Sequence, residues 1–170
     1  MKKIFIISSI IISLIIMNKE YNKITIPDNS IRIRVISNSN NINDQLIKIK
    51  VKENIEKTLY PKLENVKDID TARSKIKENL SVIDNIVSTT TNDNNYTIKY
   101  GNNYFPEKEL YGIKYEEGNY ESLVINLGEA KGNNWWCVLF PPLCMIEAED
   151  NDQDNIEYKS KVLEILNDYK

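Results

Sequence analysis

Gly132-Asn133-Asn134-Trp135-Trp136-Cys137-Val138-Leu139-Phe140-Pro141-Pro142-Leu143-Cys144 holds both tryptophans, both cysteines and two of the five prolines of a 170-residue chain. Trp135 to Phe140 is an unbroken apolar run, long enough for a strand and too short for a helix. Pro141 has no amide hydrogen and drives Phe140 towards extended backbone, so the strand ends there and the chain turns through Pro141 and Pro142. On a strand successive side chains point to opposite faces, so Trp135 and Trp136 cannot share one. Either one anchors the core while the other meets a partner, or both are core residues of a strand covered on each side. With Asn134 and Phe140 they are the candidate contact residues of this stretch.

Working outward, all five glycines lie between Gly101 and Gly132, and between them run short apolar segments at 96–100, 110–115 and 120–127. This pattern predicts an antiparallel meander that returns into the tryptophan strand. Far upstream, Ile31-Arg32-Ile33-Arg34-Val35-Ile36 alternates with period two, placing Ile31, Ile33 and Val35 on one face and Arg32 and Arg34 on the other. The arginines read first as a solvated strand face and second as a partner-binding stripe.

Two helical patterns follow. After a polar, cap-forming run at 37–43, Ile47, Val51, Ile55 and Leu59 recur every four residues up to Pro61, where the helix should stop. Ile69, Ala72, Ile76, Leu80, Ile83 and Val87 mark a second helix over about 70–87, with 88–95 as a polar loop. Val162, Leu166 and Tyr169 mark a last amphipathic helix. The expected fold is α+β: an antiparallel sheet of about five strands packed against two amphipathic helices, with a C-terminal helix and an N-terminal signal or anchor segment.

Lys2 and Lys3 precede a fourteen-residue segment, 4–17, broken only by three serines. That is a signal-peptide pattern, and at ~1.5 Å per helical residue it falls short of a ~30 Å hydrocarbon core. The stretch after Met17 lacks small residues at the usual cleavage spacing, so residues 1–17 are either a signal peptide or an uncleaved anchor. Residues 18–30 then read as a linker and 31–170 as one exported domain.

The net charge of −3 argues against nucleic acid as a partner. The chain contains no histidine, which excludes Cys-His and Ser-His-Asp catalysis and the commoner zinc sites. Asp150, Asp152 and Asp154 imitate the start of a calcium loop, but Asn155 replaces the required glycine and Lys161 the bidentate glutamate. No catalytic residue, metal or cofactor is expected. Cys137 and Cys144 are a candidate disulfide in an exported protein, the alternative being two reduced, buried thiols.

The stretch 132–144 resembles the signature of the stage II sporulation protein R family, Gly-x-Asn-Trp-Trp-Cys-Val-Leu-Phe-Pro-Pro-Leu-Cys. Ile31 to Ser39 and Asp44 to Glu53 resemble a second family segment, with Ser37 in place of alanine and Asn40 in place of aspartate. Phe105-Pro106, Tyr111-Gly112, Gly118, Tyr120, Leu123 and Gly128 match scattered family positions. The resemblance implies an exported signalling protein of endospore formation, made in the forespore. Its implied partner is a membrane-embedded aspartic protease on the mother-cell side of the septum, which removes the pro-sequence of sigma-E. It further implies a location between the two membranes, with membrane attachment only through residues 1–17 if they stay uncleaved. The alternative is a cell-envelope or septum-binding module without a signalling role.

Overall fold

Alternation in β1 (Ile31–Ile36) buries Ile31, Ile33 and Val35 completely or nearly so, and the rest of the chain is built around this strand. The computed structural model describes residues 24, 26–27, 29–92, 95–110, 113–146 and 152–169. The signal or anchor segment expected at 1–17 and the first part of the acidic stretch, 147–151, lie outside them. After β1 come helices α1 (Ile42–Leu63), α2 (Ile69–Glu78) and α3 (Leu80–Thr91). Strands β2 (Tyr96–Phe105), β3 (Lys108–Leu110), β4 (Ile113–Tyr115), β5 (Gly118–Leu127) and β6 (Asn134–Phe140) follow, then helix α4 (Asp152–Asp168).

The class is α+β, but the sheet is not a simple meander. Four strands form one mixed sheet in the order β2-β5-β1-β6, and β3 and β4 pair separately as a hairpin. β1 lies between β5 and β6, parallel to the first and antiparallel to the second. The cause is the connection 128–133. It spans two strand spacings, about 10 Å, and so leaves a slot that an apolar strand from elsewhere in the chain can fill. The connection closes over the end of β1: the Lys131 and Gly132 amides donate to the Asn38 and Ser37 carbonyls at 3.1 and 3.0 Å.

Both faces of the sheet are covered. On one, Val51, Ile55, Leu59, Ile76, Ile83 and Val87 of the three consecutive helices pack on Ile33, Val35, Leu123 and Ile125. On the other, Tyr158, Val162 and Leu166 of α4 join Ile113 and Tyr115 of the hairpin over Trp136 and Val138. Ile24 and Ile26, within the stretch read as a linker, are buried in this second cluster.

Three local expectations change. The single helix over 70–87 is two helices meeting at Asn79, whose side-chain amide donates to the Lys75 carbonyl at 2.7 Å in place of a continuing backbone ladder. The polar loop expected from position 88 is helical to Thr91: the buried Val87 holds the last turn down, and Asn92, in the left-handed conformation, closes it by donating its amide to the Ser88 carbonyl at 3.1 Å. Pro61 does not stop α1, which runs on to Leu63. The proline removes one bond of the last turn, Glu64 still donates to Tyr60 at 2.9 Å, and the buried Leu59 and Leu63 hold the turn down.

Candidate functional site

β6 is an edge strand. β1 pairs with one side of it, and no described strand pairs with the other. The alternation expected of its tryptophans is observed, and each has its own environment. Trp136 is 3% exposed, set edge-on against the rings of Tyr115 at 4.9 Å and Phe105 at 5.7 Å. Trp135 faces the three-helix side and is half-buried, with Lys52 Nζ 5.5 Å from its ring centre. Phe140 is buried against the Tyr169 ring at 5.1 Å, and Asn134 is half-buried at the open end of the strand. Of the four candidate contacts in this stretch, Trp135 and Asn134 retain surface.

The arginines of β1 are not a solvated face. Arg32 is 2% exposed, its guanidinium 3.3 Å from the centre of the Tyr120 ring and about equally far from Trp136 and Phe105, at 5.4 and 5.5 Å. Period-two alternation correctly separates the arginines from the isoleucines, but the polar side of this strand is roofed by α4 and the hairpin. Three aromatic rings on the same side accept the cation through their π faces. Arg34 is half-buried one step along, 5.8 Å from Phe105, and burial lowers its pKa.

Around the β6 edge two lysines join Arg34. Lys108 Nζ lies 5.6 Å from the Trp136 ring, and its pKa is lowered by burial and by repulsion from Lys48 and Arg34. Lys48, on α1, is 8% exposed and reaches Gln45 Oε1 at 2.6 Å and the Asn133 carbonyl at 3.4 Å; burial lowers its pKa too. Neither lysine stands out in the sequence as part of a site. Their convergence is set by the fold, which brings Lys48 of α1 to the Asn133 carbonyl and Lys108 of β3 to the Trp136 ring.

A polar corner at the end of β1 holds this edge in place. Ser37 Oγ lies 2.9 Å from both the Ser39 and the Asn133 carbonyl oxygens, and Asn40 Oδ1 accepts from the Asn133 amide at 2.6 Å. The role found for position 40 therefore requires an oxygen acceptor rather than a charge, which asparagine supplies. Asn41 caps α1 by accepting from the Asp44 amide at 2.8 Å. Asp44 Oδ2 in turn accepts from Ser39 Oγ, Asn38 Nδ2 and Asn41 Nδ2 at 2.6 to 2.9 Å, and the Ser39 and Asn38 bonds lower its pKa. A pocket lined by Asn38, Asp44, Ile47, Thr91, Asn95, Leu127 and Gly128 opens here. Its single carboxylate is already committed to those three donors.

Cys137, in the middle of β6, and Cys144, in the turn after it, form a disulfide with Cα atoms 5.6 Å apart. The Tyr60 hydroxyl, 2.7 Å from Glu56 Oε1 and 3.1 Å from the Cys144 carbonyl, ties this turn to α1, and its burial raises its pKa. Among the described residues no cluster of Cys, Asp and Glu could hold a metal ion, and no helix is long and apolar enough to cross a membrane.

The two stretches that meet at the corner, 31–45 and 128–144, are thus one structural unit that carries the edge strand β6. The family model described as stage II sporulation protein R matches residues 27–150. The chain is 33% identical over 159 residues to "Stage II sporulation protein R" of Bacillus subtilis (strain 168), covering 88% of this chain and 70% of that protein. No solved structure matches. With most of its length matched and both halves of the corner inside the match, the chain belongs to the stage II sporulation protein R family.

Proposed function

We propose that the chain is an exported signal of endospore formation that switches on a membrane-embedded aspartic protease, which then removes the pro-sequence of sigma-E. The observation that carries this reading is the family match over residues 27–150. Export through residues 1–17 places the domain between forespore and mother cell, where such a partner is reached without crossing a further membrane. A ligand rather than an enzyme fits the chemistry present: the chain has no histidine, and both cysteines are joined to each other, so neither supplies a thiolate. The half-buried Trp135 on the edge strand β6 supplies the contact. As a ligand it activates only by binding the active arrangement of the protease more tightly than the inactive one.

The test is co-expression of the full chain with the protease and a tagged pro-sigma-E in a non-sporulating host. Shortening of the tagged protein only when the exported domain is present is the expected result. An unchanged substrate in the presence of an exported, folded domain rejects the reading and favours a septum-binding role, which retention by isolated cell wall would then measure.

A further inference from the structure

We propose that β2, at the opposite edge of the sheet from β6, pairs antiparallel with β2 of a second copy of this chain, with Tyr100 facing Tyr100 across a two-fold axis. The inference goes beyond the signalling reading and does not depend on it.

The first support is the direction of the β2 main chain. β5 pairs with one side of β2, and no described strand pairs with the other. The Asn95 carbonyl accepts from the Gly128 amide at 2.7 Å, and the register then runs unbroken from Tyr96 opposite Leu127 to Phe105 opposite Gly118. Bonded and non-bonded positions alternate in an antiparallel pair. The odd-numbered residues of β2 therefore bond to β5, and the main-chain groups of Tyr96, Ile98, Tyr100, Asn102 and Tyr104 point outward. No residue from Tyr96 to Tyr104 is buried. Ile24 and Ile26 belong to the cluster on the other face of the sheet from Tyr96, Ile98 and Tyr100. A long edge with its donors and acceptors unpaired is a template for another strand.

The second support is the fit of β2 to itself. A two-fold axis at Tyr100 sets Ile98 opposite Asn102 and Tyr96 opposite Tyr104 of the second copy, so each outward-facing residue meets another. Tyrosine then pairs with tyrosine on one face, and Tyr104, 55% exposed in the single chain, is covered by Tyr96 of the second copy. Lys99, the one charged residue of β2, falls opposite Gly101, which has no side chain to meet it. The alternation of bonded positions puts the next allowed registers two residues away. One sets Lys99 against Lys99, the other sets Lys99 against Asn103, and both break every tyrosine pair. Asp84 and Glu117 accept from the Tyr96 and Tyr104 hydroxyls at 2.9 Å and are brought nearer each other by the pairing. Salt screens that repulsion.

The test is sedimentation of the full chain at about 0.3 M salt, joined to amide exchange followed residue by residue. A single strand pair is a small interface, so a monomer–dimer equilibrium with a dissociation constant on the order of 100 μM is expected. The outward amides of β2 should slow at least about fivefold as the concentration passes through that range, while the Thr97, Lys99 and Gly101 amides, already bonded to β5, keep their rates. Asn102→Pro removes an outward amide that the single chain does not use, so it should keep the unfolding midpoint and weaken pairing at least about tenfold. Tyr104→Ala, at an exposed position, should weaken pairing without disturbing the backbone, and Lys99→Ala should leave it within about twofold. A monomer at every concentration up to about 1 mM overturns the proposal. So does a dimer whose outward amides exchange unchanged, or one that persists in both Asn102→Pro and Tyr104→Ala. Pairing about tenfold tighter in Lys99→Ala would overturn the register, since it would place Lys99 against Lys99.

Discussion

Gly132 sits directly against Ser37: a Cβ added at position 132 would overlap Ser37 Oγ and the Ser39 carbonyl, while the Gly132 amide donates to the Ser37 carbonyl at 3.0 Å. The glycine is therefore required for close approach of two stretches almost a hundred residues apart. Gly132→Ala should destabilise the protein by about 2–4 kcal/mol, because the backbone on both sides must separate and the Asn133 bonds lengthen with it. Urea denaturation measures this, and an unchanged midpoint would show that the corner yields without cost.

The Arg32 guanidinium carbon lies 3.3 Å from the centre of the Tyr120 ring, close enough that the planar shape of the group matters as much as its charge. Arg32→Lys keeps the charge, loses the planar stacking surface, and brings a more strongly hydrated group into a site that is 2% exposed. A loss of about 1–3 kcal/mol is expected by denaturation. Wild-type stability in this variant would mean that the site asks only for a positive charge.

Glu121 binds the α2 helix to the sheet: Arg73 Nε is 2.9 Å from both of its oxygens, and the Tyr100 hydroxyl donates to it at 2.6 Å. Burial pushes this carboxyl up, but the Arg73 and Tyr100 hydrogen bonds reverse that and leave its pKa below the ordinary value of 4.5. A carboxyl with a depressed folded-state pKa contributes stability that is present above its unfolded value and lost as pH falls through the folded one. Thermal melts from pH 6 down to below 4.5 should therefore show a falling midpoint that Glu121→Gln makes shallower. The difference at pH 6 should be about 1 kcal/mol, since the pair is partly exposed. Parallel acid limbs for the two proteins would contradict the assignment.

How far the fold was legible can be argued from β1. Its alternation shows which residues share a face, and Ile31, Ile33 and Val35 are buried as that predicts. Nothing local states that the other face is covered as well, because the cover comes from Tyr115, Tyr120 and α4, some eighty or more residues away. The same limit explains the sheet order: insertion of β1 between β5 and β6 is a long-range choice with no signal in the strand itself. The opposite facing of Trp135 and Trp136 was legible from strand alternation, and the Cys137–Cys144 bond was one of the readings that two cysteines at short spacing allow. Lys48 and Lys108 were not, since each is an ordinary lysine until the fold brings both to one strand edge.

The two tryptophans should separate stability from signalling. Trp136 fills the space between Tyr115, Phe105 and Arg32, so Trp136→Ala should cost about 3–5 kcal/mol, and Trp136→Phe, which keeps an aromatic ring there, much less. Trp135 is half-buried beside Lys52, and Trp135→Ala should cost roughly 1–2 kcal/mol, leaving a folded domain. In the co-expression assay, Trp135→Ala should then lose most processing of pro-sigma-E despite a cooperative thermal transition, while Trp136→Phe should retain it. The converse pattern would move the contact away from the Trp135 side of the edge. Processing by Trp135→Ala at the wild-type level would confine the role of this tryptophan to packing against the helices.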